Sequence, residues 1–141
     1  MTGWLRRLFR RRPDPVVAAE QFRRERDALL GAFLAAARAT GKPRELTWES
    51  VEANGELLLV EDRAGQFVAL VPVVVRFEPV PGSEMEEVPQ AREPRPVTAL
   101  FTYERAAWRT VGRAVFNLSP TQVVEKSAGR YVPVSPRPTS Q

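Results

Sequence analysis

Helical periodicity dominates residues 16–39. Phe22, Leu29, Leu30, Phe33, Leu34 and Ala37 recur at spacings that share one face of a helix. Ala18, Ala19, Ala28, Ala32, Ala35 and Ala36 add intrinsic helix preference. Asp14 is placed to cap the first turn, and Pro15 takes the first helical position, where its missing N–H costs nothing. Gly41 and Pro43 stop the helix. Gln21, Arg24, Asp27 and Arg38 are expected to face water. The Arg/Glu run over 20–27 reads as a solvated, ion-paired face, and Gly31 as a packing compromise.

The period then shortens to two. Residues 46–52 and 56–62 flank Asn54-Gly55, which predicts a β-hairpin. Asp62 to Gly65 predicts the next turn. Residues 66–77 (QFVALVPVVVRF) read as a long apolar strand or as two strands with a bend. Phe67, Ala69, Val71, Val73, Val75 and Phe77 share one face; Val68, Leu70 and Val74 take the other. Both faces need a cover: the long helix on one, another layer or a second subunit on the other. Pro72 lacks a ladder donor and predicts an edge or a bulge.

Residues 78–96 are proline- and glutamate-rich and read as a polar loop. Residues 97–103 and 108–116 predict a final antiparallel pair. Its connection, Glu104 to Ala107, has none of the residues of a tight turn, so a wider loop or bulge is expected there. Gly112 predicts a bulge or a close backbone approach. Ser119 and Gln122 form a capping-box pattern with Pro120 between them. A short helix at 120–126 is expected to close the sheet edge. The sum is an α+β fold: a long N-terminal helix packed on a curved antiparallel sheet of about five strands, and a short C-terminal helix. The expected domain spans 15–128, preceded by a leader at 1–14 and followed by an irregular tail at 129–141.

Charge changes this picture at one place. The net charge is +4, from 21 Lys+Arg and 17 Asp+Glu. Residues 1–14 hold five arginines against Asp14, so the rest of the chain has 16 of each sign and is neutral. The sequence pI near 10.3 therefore reflects the leader and not a basic domain. In that leader Trp4, Leu5, Leu8 and Phe9 can share a helical face beside Arg6, Arg7, Arg10, Arg11 and Arg12. This pattern fits an anionic membrane interface. It also fits a solubilising tail, a partner contact or a non-specific phosphate contact. The apolar set favours an interface over pure charge attraction, so nucleic acid is a minor reading. The leader is too short to span a bilayer.

Composition removes much chemistry. With 141 residues and 43% hydrophobic content the chain can build a core without staples. Without Cys it has no disulfide, thiolate or thiolate-zinc site. Without His it lacks the usual base near neutral pH. Glu84, Glu86 and Glu87 lack the ligand spacing of a calcium loop. No phosphate-binding loop or nucleophile elbow is present. No catalytic residue, metal or cofactor is assigned. The resulting expectation is a non-enzymatic accessory or adaptor domain working through protein contacts, self-association included. The leader would place it in the cytoplasm at the inner face of an anionic membrane. The alternative is a small-ligand-binding domain or a carboxylate-dependent enzyme. Its pocket would lie between helix and sheet, lined by Trp48, Phe67, Phe101, Tyr103, Trp108 and Arg109. Glu49 and Glu61 would be its cross-strand carboxylates.

Overall fold

The computed structural model describes residues 13–134. Helix α1 spans Pro15–Ala39 and starts as its sequence directs: the Val16 N–H donates to Asp14 Oδ1 at 2.8 Å. Seven strands follow: β1 (Leu46–Ala53), β2 (Leu58–Glu61), β3 (Phe67–Pro79), β4 (Arg95–Glu104), β5 (Ala107–Arg109), β6 (Ala114–Phe116) and β7 (Val132–Pro133). Helix α2 (Pro120–Glu125) precedes β7 and carries the capping box of Ser119 and Gln122. The fold is α+β with an antiparallel sheet.

The central pair is β3–β4, registered from Val68↔Thr102 to Val75↔Arg95. Both β1 and β2 pair with the outer side of β3, one after the other. Asn54-Gly55 is therefore not a hairpin turn. Between Ala53↔Val73 and Leu58↔Leu70, four residues (54–57) face two (71–72). This is a wide bulge within one interrupted edge. The Asn54 N–H still reaches Pro72 O at 2.8 Å. In an antiparallel strand the N–H and C=O of one residue point the same way. The donor that Pro72 lacks therefore faces the bulge, which is how a proline fits a central strand.

The opposite edge repeats the device. Between Thr102↔Arg109 and Ala99↔Ala114, residues 110–113 face 100–101. What reads as one strand over 108–116 is thus β5, a bulge and β6. The two bulges flank the β3–β4 pair at nearly one level, and bulges bend and twist a sheet. The β4–β5 connection is tighter than its residues suggest. Arg105 and Ala106 both have positive φ (53° and 61°), and Glu104 pairs with Ala107. This is the geometry of a two-residue hairpin turn that usually selects Asn-Gly.

Helix α1 covers the first face. Phe22, Phe33 and Ala37 meet Phe67, Val71, Val73, Phe77 and Phe101. Two tryptophans tie the helix region at opposite ends. Trp108 Nε1 donates to Ala18 O at 2.9 Å, and Trp48 Nε1 donates to Lys42 O at 2.8 Å. Of the residues expected in water, Arg38 is exposed but also hydrogen-bonded, its Nε donating to Trp48 O at 2.8 Å, and Gln21 is only partly exposed, against the β4–β5 turn.

The second face has its own cover. Val60, Val68, Leu70 and Leu100 are buried with Val123 of α2 and with Tyr131. Helix α2 caps this face rather than closing an edge. Residues 129–134 belong to the domain and not to a loose tail: Tyr131 is buried, β7 pairs with β2, and the Val134 N–H donates to Leu59 O at 2.8 Å. The polar loop is shorter than 78–96 and holds two 3₁₀ turns, Glu84–Glu87 and Pro89–Arg92.

Candidate functional site

The bulge after β5 has the sequence Arg109-Thr110-Val111-Gly112-Arg113. Thr110 fixes it inward: its hydroxyl donates to Leu100 O at 3.1 Å and accepts from the Gly112 N–H at 3.0 Å. Gly112 packs directly on α1. A Cβ there would stand 2.5–2.8 Å from backbone atoms of Ala36 and Ala37. With 110 and 112 held, Arg109, Val111 and Arg113 stay exposed, Val111 at 79%.

Residues 126–131 form the facing wall. The Ser127 hydroxyl donates to Val124 O at 2.7 Å and accepts from the Tyr131 N–H at 3.3 Å. Arg63 Nη2 donates to Ala128 O at 3.1 Å. This turn sets Arg130 beside Tyr131, its guanidinium 5.6 Å from the ring centre. Between the walls lie two depressions of about 180 and 250 Å³. Both include Leu100, Arg113, Arg130 and Tyr131, so they form one groove. Its floor is apolar, and its rim carries Arg109, Arg113, Lys126 and Arg130, with the Asp62 carboxylate at one end.

The cations of this rim are poorly neutralised. Arg109 Nε lies 3.7 Å from Glu104 Oε1, an exposed pair. Among the described residues no carboxylate comes within ion-pair reach of Arg113, Lys126 or Arg130. All 17 acidic side chains lie within residues 13–134, and segments 1–12 and 135–141 contain none. Asp62, at one end of the groove, accepts the Ala64 and Gln66 N–H groups on Oδ1, at 2.9 Å each.

A larger cleft, about 780 Å³, opens at the end of the sheet beside the β2–β3 and β4–β5 turns. Tyr103, Arg105 and Arg109 border it. The Tyr103 hydroxyl donates to Gln21 Oε1 at 2.8 Å, and Gln21 Nε2 donates to Ala106 O at 3.1 Å. Burial, and then the nearby Glu25 carboxylate, push the Tyr103 hydroxyl above its ordinary pKa. It stays a protonated donor at neutral pH, with its proton committed to Gln21.

Of the residues grouped from sequence as a pocket, only Tyr103 and Arg109 border this cleft. Trp48, Phe67, Phe101 and Trp108 are buried in the helix–sheet core. There they join an unbroken run of ring contacts, including Trp108–Phe22 at 5.3 Å, Phe22–Phe101 at 5.1 Å and Phe33–Trp48 at 5.8 Å. Edge-on geometry of this kind is packing. Glu49 and Glu61 do not oppose each other, because β1 and β2 follow one another along β3. Glu84, Glu86 and Glu87 sit on a 3₁₀ turn, where Glu86 Oε1 accepts the Gly82 N–H at 2.8 Å. Among the described residues no group of three or more carboxylates is arranged to hold a metal ion. No helix there is long and apolar enough to cross a membrane. The leader residues Trp4, Leu5, Arg6, Arg7, Leu8, Phe9, Arg10, Arg11 and Arg12 lie outside the described residues.

The pattern grouping missed Arg113, Lys126 and Arg130. The Arg-x-Val-x-Arg alternation over 109–113 was the available signal for one wall. The other wall exists only because the C-terminal segment folds back. Comparison with protein-family models, curated proteins and solved structures found no match for this chain.

Proposed function

We propose that this chain is a non-enzymatic accessory domain that recognises anionic partners. The folded body contacts other proteins, and the arginine-rich leader holds the domain at the cytoplasmic face of an anionic membrane. The observation that supports this most is the stranded positive charge. Among the described residues no carboxylate comes within ion-pair reach of Arg113, Lys126 or Arg130, and the leader sequence over residues 1–12 carries five arginines and no acid. Groove cations with no carboxylate in ion-pair reach are available to an external anion. The apolar second face gives less support to self-association than its sequence suggests, since Val68 and Leu70 are buried beneath α2 and Tyr131.

Co-sedimentation with vesicles tests the membrane part. Intact chain is expected to pellet with phosphatidylserine-containing vesicles and to stay in solution with phosphatidylcholine alone. Deleting residues 1–12 is expected to abolish most of that retention, as is raising the salt. Retention that survives the deletion unchanged contradicts this assignment.

A further inference from the structure

We infer that the groove between the β5–β6 bulge and residues 126–131 is a docking site for an acidic, partly apolar polypeptide segment of another protein. This deepens the protein-contact half of the proposed function and does not depend on the membrane half. The two depressions of the groove adjoin, sharing Leu100, Arg113, Arg130 and Tyr131 in their linings. Its floor, with Val68, Leu100 and Val123, offers burial to alternate apolar side chains. Its rim offers three guanidiniums and the Lys126 ammonium. Guanidiniums bind carboxylates in a forked, two-bond geometry that a point charge cannot match.

Charge complementarity selects the occupant. No acidic side chain of the chain pairs with Arg113, Lys126 or Arg130 among the described residues, and none exists in the segments outside them. The chain's own acidic turn, Glu84–Glu87, joins β3 to β4 at the end of the sheet away from the β4–β5 turn. The concave shape suits a single inserted segment better than a bilayer surface, which meets protruding residues.

A fluorescein-labelled peptide of alternating glutamate and leucine provides the probe, with a lysine–leucine peptide as control. Anisotropy and amide chemical shifts are followed on the chain lacking residues 1–12, and anisotropy also on the full chain. Saturable binding of the acidic peptide is expected, with shifts centred on Leu100, Arg113, Arg130 and Tyr131. Arg113→Glu with Arg130→Glu is expected to weaken binding at least tenfold. Arg24→Glu with Arg44→Glu makes the same change in net charge elsewhere and is expected to weaken it far less. Arg113→Gln with Arg130→Gln checks the result in a less perturbed fold, confirmed by the thermal midpoint. Three results overturn the proposal: no saturation, equal sensitivity to both charge-reversed pairs, or shifts centred outside the groove. Groove-dependent binding of phosphatidylserine vesicles by the leader-deleted chain, without peptide binding, assigns the groove to lipid instead. Dimerisation lost on Arg113→Glu with Arg130→Glu, again without peptide binding, assigns it to a second copy. Loss of peptide binding leaves the vesicle result on the leader untouched, so the two failures are distinguishable.

Discussion

Gly112 shows how one residue fixes a large feature. Its φ is +79°, and the backbone of α1 occupies the place of a side chain. Both constraints act against any other residue. Gly112→Ala is expected to destabilise the domain by about 2–4 kcal/mol, from backbone strain plus overlap with a helix backbone that cannot yield. Urea unfolding reads this as a lower midpoint. An unchanged midpoint would mean that the bulge does not rest on α1. Tyr103 makes a second prediction at this scale. Its folded pKa is raised, so its contribution is complete below the unfolded value near 10 and is lost as pH rises through the folded value. Tyr103→Phe is expected to cost about 1 kcal/mol at neutral pH through the lost bond to Gln21. The gap between variant and parent should narrow as the pH rises above about 10. A gap that widens with pH contradicts the burial argument.

At the scale of elements, the β4–β5 turn carries a local conflict. Arg105 and Ala106 occupy left-handed backbone, where a Cβ costs roughly 1–2 kcal/mol per residue. Arg105→Asn with Ala106→Gly is expected to stabilise the domain by about 1–2 kcal/mol, seen as a raised thermal midpoint. A fall would show that the Arg105 side chain makes a contact worth more than the strain. The same two connections mark the limit of what was legible in the sequence. Asn54-Gly55 is a strong local turn signal, yet a 13-residue β3 pairs with both β1 and β2, and long-range pairing overrode the signal. Conversely, Glu104 to Ala107 carries no turn signal, yet the register forces a tight turn. Local patterns did specify α1, the two faces of β3, the capping box and the helix stop, because each depends on neighbours in sequence. The groove depends on residues 109–113 meeting 126–131, and no local pattern encodes that meeting.

At the scale of the molecule, the start of α1 and the acidic loop lie at opposite ends of the sheet. Helix α1 begins beside Trp108 and Ala106, so residues 1–12 attach at the β4–β5 end. Loop 80–94, with Glu84, Glu86, Glu87 and Glu93, joins β3 to β4 at the other end, near Trp48 and the C-terminus of α1. A 25-residue helix separates these ends by about 37 Å. The start of α1, to which the leader is joined, and the acids of the loop thus lie at opposite ends, and an anionic surface would repel the loop end. Amide hydrogen exchange of the intact chain, with and without phosphatidylserine-containing vesicles, reads this directly. New protection is expected in residues 1–12 and none in loop 80–94. Protection of the acidic loop, or of neither segment, would contradict the membrane assignment.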